Sequence, residues 1–176
     1  TSLVRINLTG CESLKTTSLS PLTAGCPNLE VVRLSGLEYV GSLDLSVSSS
    51  AAARAQCWPD LQRLYLNGCS FLSSLSPLGS KLVLADLSFC SALVDTSWLT
   101  GCSKLEHLNL AHCTKITSLA GCLHCPRLTS IGLWGCVLIK SLDPLANCHD
   151  LKLVDCTAMV CTSVYSHPFA VHMSFT

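Results

Sequence analysis

One phrase recurs along the chain at a spacing of about 23 residues: Leu-x-x-Leu-x-Leu, followed by a cysteine eight residues after the first leucine. It runs Leu105, Leu108, Leu110, Cys113, and again Leu128, Ile131, Leu133, Cys136. Earlier copies run Leu61, Leu64, Leu66, Cys69 and Leu82, Ala85, Leu87, Cys90, and looser ones begin at Leu3, Leu29 and Leu151. A fixed period of this length marks stacked units, each unable to bury its apolar face except against its neighbours. It predicts a solenoid and directs the search for function to an extended surface rather than a catalytic cleft.

Within one copy the spacing of Leu105, Leu108 and Leu110 turns alternate residues of a short strand inward, leaving Glu106, His107 and Asn109 facing out. Successive strands then lie side by side in a parallel sheet. Cys113 is expected to turn inward below the loop and to hydrogen-bond backbone there. Ile116 and Leu119 supply the next inward columns, matched by Leu72 and Leu75 and by Ile139 and Leu142. Ser20-Pro21, Ser76-Pro77 and Asp143-Pro144 each place a capping acceptor before a proline. These starts are too brief for full α-helices, so the opposite, convex side should carry short turns, 3₁₀ segments or single-turn helices. Pro27, Pro59 and Pro126 redirect the chain into the following strand.

The 13 cysteines follow the same periodicity. Cys11, Cys69, Cys90, Cys113 and Cys136 fall in one column; Cys26, Cys102, Cys125 and Cys148 fall in another, three residues before the next opening leucine. Cys122 stands where other copies have Leu78, Leu99 and Leu145, and Cys156 where they have Leu110 and Leu133. Cys57 and Cys161 fall outside the columns. Cysteines at inward positions act as small buried hydrophobes, which argues for reduced thiols and a cytoplasmic setting. Cys122-Leu-His-Cys125 has the spacing of half a zinc site, but no second Cys-x-x-Cys completes it, so no metal is expected.

Apolar residues make up 49% of the chain and charged residues only 12%, a bias that suits units buried on both sides. Eleven basic residues balance eleven acidic ones, leaving no electrostatic footprint for nucleic acid. No apolar window of 18 or more residues exists to form a membrane segment. Phosphate-binding, nucleophile-elbow, zinc-protease and dinucleotide motifs are all missing, so we expect no enzyme, catalytic residue or cofactor. His107 and His112 are expected side by side on the concave surface as two solvated histidines.

The recurring phrase resembles the leucine-rich repeat, and seven copies spanning nearly the whole chain carry the resemblance. The resemblance implies an α/β solenoid, a horseshoe with a parallel concave β-sheet. Cys69, Cys90, Cys113 and Cys136 stand where many such families have Asn, so the chain is similar to the cysteine-containing subtype. That subtype includes repeat regions of F-box ubiquitin-ligase receptors and of proteins of single-celled eukaryotes. The F-box receptors have longer copies with a Thr-Asp-x-Gly-Leu helix start. Here the second half reads Leu75-Ser-Pro77-Leu78 or Leu142-Asp-Pro144-Leu145, which is closer to the second group.

We expect the repeat array to occupy residues 1–160, with copies starting near 3, 29, 61, 82, 105, 128 and 151. An insertion rich in small residues fills 46–57, and an irregular tail covers 161–176. Neither end shows a polar cap, so the chain is read as a fragment of a longer array. The function expected is a non-catalytic protein–protein interaction module. One alternative is the substrate-recognition part of a cullin-type ubiquitin ligase, which the resemblance implies; another is a surface receptor or adhesin ectodomain. Two outward columns on the concave face carry the candidate contacts: Arg5, Arg63 and His107 in one, Arg33, Tyr65, Asp86 and Asn109 in the other. Phe89 and Trp134 project near the strand ends. Arg, Tyr and Trp dominate binding hot spots, and the clustering of Arg5, Arg33, Arg63 and Tyr65 points to a protein partner with an acidic patch.

Overall fold

Seven three-residue strands form where the Leu-x-Leu core of each copy passes, in a computed structural model that describes residues 2–15, 22, 25–40, 42–43 and 58–156. They are β1 (Arg5–Asn7), β2 (Val31–Arg33), β4 (Arg63–Tyr65), β6 (Leu84–Asp86), β7 (His107–Asn109), β8 (Ser130–Gly132) and β9 (Leu153–Asp155). All pair in parallel, in sequence order, without a register slip: Ile6, Val32, Leu64, Ala85, Leu108, Ile131 and Val154 make one central row. From Val32 to Val154 that row is buried. A slip of one residue would turn the row outward, so the single buried position per strand fixes the register. The architecture is a parallel β-solenoid of stacked copies.

The core beneath the sheet is assembled from the inward columns. Leu105, Leu110, Ile116 and Leu119 are wholly buried, as are their counterparts Leu61, Leu66 and Leu72. On the far side the chain forms 3₁₀ turns at Ser97–Leu99, Ala120–His124 and Asp143–Asn147, which pack on one another. Proline opens the last of these, but Asp143 lies inside its first turn, and no side chain caps it. Ser76-Pro77 forms no turn of this kind; instead β5 (Ser74–Leu75) pairs in parallel with β3 (Ser42–Leu43) in a second, two-stranded sheet. Ser20-Pro21, the 46–57 insertion and the 161–176 tail lie outside the described residues. Thr96, almost wholly buried, joins two copies: its Oγ1 accepts from the Gly121 N–H (3.0 Å) and donates to the Ser118 carbonyl (3.3 Å). A methyl group on Gly121 would lie 1.8 Å from the Thr96 backbone carbonyl oxygen, so only glycine permits this approach.

The cysteine column does more than fill space. Cys69 Sγ donates to the Leu34 carbonyl (3.4 Å), Cys90 to Leu66 (3.2 Å), Cys113 to Leu87 (3.1 Å) and Cys136 to Leu110 (2.9 Å). Each of these carbonyls also closes the turn of its own copy, Leu66 with Cys69 N–H (3.1 Å) and Leu110 with Cys113 N–H (3.0 Å). A carbonyl oxygen has two lone pairs; one is used within the copy and the other by the next copy's thiol. Burial pushes the Cys69 and Cys136 thiols up to about 11, and the Cys102, Cys113 and Cys125 thiols to about 12, from an ordinary 9.0. No disulfide joins the eleven described cysteines.

Two of the sequence expectations about cysteine need correction. Cys11 is exposed and Cys26 only half-buried, because each belongs to the first copy, which has a neighbour on one side alone among the described residues. The second column also holds residues that the cysteine pattern concealed. Trp58 and Gly79 stand three residues before Leu61 and Leu82, and both are buried there. A Cβ on Gly79 would meet the Trp58 and Pro59 carbonyl oxygens at 3.3 Å, so the backbone approaches closely at this point.

Replacing Leu108 or Leu133 with Asp should unfold the array, since either change strands a carboxylate in the core at a cost of several kcal/mol; loss of the native circular dichroism spectrum and melting transition is the expected reading. The raised thiol values carry a second expectation. An unfolded chain releases these protons from about pH 9, whereas the folded chain holds them to about 11–12. The stabilisation they give is therefore complete below pH 9 and lost as pH rises through that window. Melting temperatures measured under reducing conditions should fall steeply above pH 9, and Cys113→Ala should make the fall shallower.

Candidate protein-binding face

The outward side of the seven-stranded sheet presents two columns whose members sit on consecutive strands. Arg5, Val31, Arg63, Leu84, His107, Ser130 and Leu153 pair in the first, and Asn7, Arg33, Tyr65, Asp86, Asn109, Gly132 and Asp155 in the second. This is the arrangement expected from the spacing. Val31 and Leu84 are half-buried on it, while Leu153 is exposed.

The N-terminal half is cationic. Arg5 and Arg63 are exposed, and Arg33 lies between them on β2. The Arg33 guanidinium rests over the Tyr65 ring, 4.0 Å from its centroid, which holds both half-buried side chains in place. Toward the C-terminal half the character changes. His107 is exposed, its Nδ1 2.8 Å from Ser130 Oγ on the next strand. Asp86 Oδ1 accepts from the Ser88 N–H (3.1 Å) and the Ser88 hydroxyl (2.8 Å), and Asn109 Oδ1 accepts from the Ala111 N–H (3.1 Å). Asn7 does the same toward the Thr9 N–H (3.0 Å). These second-column residues therefore close the turn that follows their strand, and only part of their polar capacity faces outward.

A trough of about 320 Å³ runs along this half, lined among others by Asp86, His107, Asn109, Ser130, Gly132 and Asp155. Gly132 opens its floor: a Cβ there would lie 2.7 Å from Asn109 Oδ1.

At the rim, where strands pass into loops, the residue before the cysteine column adopts a left-handed backbone. Four copies use glycine for it: Gly10, Gly36, Gly68 and Gly135. Phe89 and His112 take the same conformation at φ 62° and 60°, which costs a side-chain-bearing residue about 1–2 kcal/mol. The two are neighbours and stack with centroids 4.6 Å apart, and His112 meets Trp134 edge-on at 4.3 Å. Phe89 is 53% exposed and Trp134 45%. The structure thus places Phe89 and Trp134 together through His112, a residue the sequence reading had set beside His107. A signal was present: Phe89 and His112 interrupt an otherwise glycine column. Tyr39 and Phe71 stack farther along the loops at 6.2 Å. Among the described residues no group of three His, Cys, Asp or Glu side chains is disposed to hold a metal ion.

No protein-family model matches the chain, and no curated protein matches it. Among solved structures it is similar to an internalin of Listeria monocytogenes, with a TM-score of 0.40 and 16% identity over 83% of this chain. The matched part is 45% of the internalin chain, so this chain spans less than half the length of that protein. No helix among the described residues is long and apolar enough to cross a membrane.

Gly135 links the glycine column to the aromatic rim, since a Cβ there would lie 2.8 Å from His112 Nδ1 at φ 75°. Gly135→Ala should lower stability by about 1–2 kcal/mol and displace the His112 ring; a reduced melting temperature together with a shifted Trp134 indole resonance is the expected result.

Proposed function

We infer that the chain is a non-catalytic protein–protein interaction module that binds its partner across the concave sheet. The observation that carries this reading is the unbroken register of outward columns, with Arg5, Arg33, Arg63 and Tyr65 gathered on three consecutive strands of the face. Side chains fixed on paired strands lose little conformational freedom on binding, so more of their contact energy appears as affinity. Arginine and tyrosine provide broad, rigid contact area with polar handles. The two columns carry no acid before Asp86, which favours a partner surface bearing carboxylates there.

The thiol ladder supports the cysteine-containing subtype and a reducing compartment such as the cytoplasm, because its sulfurs are spent as hydrogen-bond donors in the core. A substrate-receptor role in a ubiquitin ligase draws on the resemblance alone.

Replacing Arg33, Arg63 and Tyr65 together with alanine should leave circular dichroism and the melting transition close to native, with partner capture weakened at least tenfold through the loss of hot-spot contacts. Quantitative affinity capture of the native chain and the triple variant in parallel tests this. An unchanged set and yield of partners would remove the N-terminal concave face from the reading.

A further inference from the structure

Three rim residues depart from their columns together. Phe89 and His112 stand where Gly10, Gly36, Gly68 and Gly135 stand in the other described copies. One residue earlier in the phrase, Trp134 replaces the small or polar Thr9, Ser35, Asn67, Ser88 and Ala111. The turn does not need the rings. Phe89 N–H donates to the Ala111 carbonyl (2.7 Å) and His112 N–H to the Trp134 carbonyl (2.6 Å), the same bond that Gly36 makes to Asn67 (2.8 Å) and Gly68 to Ser88 (2.8 Å). Glycine makes it without left-handed strain, so the two rings are kept against a conformational cost. Nor are they buried: Phe89 and Trp134 are exposed and His112 is half-buried. Exposed rings held at such a cost point to a surface that a partner covers.

The chemistry of the patch narrows what covers it. The rings and their sequence neighbours, Ser88, Cys90, Ala111, Cys113, Leu133 and Gly135, carry no carboxylate, ammonium or guanidinium. The nearest charges in sequence are one of each sign: Asp86, whose Oδ1 is engaged by Ser88, and Lys115 on the following loop. A charged segment therefore gains little here. Ring centroids step by 4.6 and 4.3 Å, and the planes turn from near-parallel (19°) to edge-on (74°). The outer rings are at most about 9 Å apart, the rise of three polyproline II residues at about 3.1 Å each. Proline offers an apolar ring to an aromatic face, is extended before it docks, and leaves its carbonyl free for a donor. The Trp134 indole N–H is such a donor, and no group among the described residues accepts from it.

We propose that the ledge formed by Phe89, His112 and Trp134 receives an uncharged, proline-bearing extended segment of the protein partner, running across the strands. This rests on the reading of the chain as a protein-binding module and adds the rim of three consecutive copies to its contact surface.

Trp58 and Trp98 are buried, so iodide quenching of tryptophan fluorescence reports Trp134. Acetylated, amidated hexaproline should protect it in a saturable titration, and a Gly-Ser peptide of equal length should not. Phe89→Gly and His112→Gly should keep the melting temperature or raise it, because each relieves left-handed strain. Each should also weaken hexaproline binding at least about threefold through the lost ring contact. Lost stability in both variants with hexaproline binding unchanged would make the rings structural. Equal protection by the two peptides, or by neither, would remove the proline-bearing segment. Protection by neutral phosphatidylcholine vesicles without a hexaproline response would assign the ledge to a lipid surface. Each of these three results overturns the proposal. The probes are synthetic and leave Arg33, Arg63 and Tyr65 untouched, so failure here is distinguishable from failure of the triple-alanine test.

Discussion

Leu34, Leu66, Leu87 and Leu110 each end their strand with a carbonyl that its own turn satisfies only once. The second lone pair lies in an apolar interior where water is excluded, and a polar group left short there costs free energy. The thiol of the following copy supplies the donor at Leu34, Leu66, Leu87 and Leu110. That exchange holds neighbouring loops at one spacing, and with it the strands above and the 3₁₀ turns behind. An Asn at this position offers the same hydrogen-bonding service with a more polar side chain. Cysteine serves with less desolvation, at the expense of a weaker donor. The high apolar content of the chain then follows, because units joined in this way have two buried flanks each.

The fold was legible in the sequence because one phrase, repeated in phase, exposes both the inward columns and their spacing. Leu108, Ile116, Leu119 and Cys113 could be placed from a single copy and checked on the others. Legibility failed where position depends on a neighbour rather than on the residue itself. Cys11 stands in the same Leu-x-Gly-Cys-x-x-Leu pattern as Cys69, yet it is exposed because no preceding copy covers it among the described residues. Trp58 was hidden because its column was defined by cysteine, while the constraint at that site is buried volume beside a close backbone approach. The second sheet of β3 and β5 escaped for another reason: two-residue strands carry no alternation to detect.

The outward columns were read correctly as positions, and less completely as chemistry. Spacing shows that Asp86 and Asn109 face out; it does not show that each spends an oxygen on the turn behind it. Nor does it show that Arg33 and Tyr65 form one unit. These are side-chain choices among rotamers, and they depend on what the adjacent strand presents. The left-handed Phe89 and His112 show the converse. Their backbone is dictated by the turn, so glycine in four other copies was a usable sign that something other than conformational ease retains the rings.

The residue-for-residue pairing of β6, β7, β8 and β9 has a consequence for how such a chain changes over generations. A break at any seam between these copies leaves strands that pair in the same register as at the other seams. Unequal exchange within the gene can therefore delete or duplicate one unit and keep the register of the sheet, while seam-specific contacts such as Thr96 with Gly121 must be matched anew. Each such event would move Arg5 on the first strand and Asp155 on the last nearer or farther by one strand spacing, about 4.8 Å. The length of the array becomes a ruler with a fixed graduation, and the separation of the side chains on its outward columns is the quantity it sets.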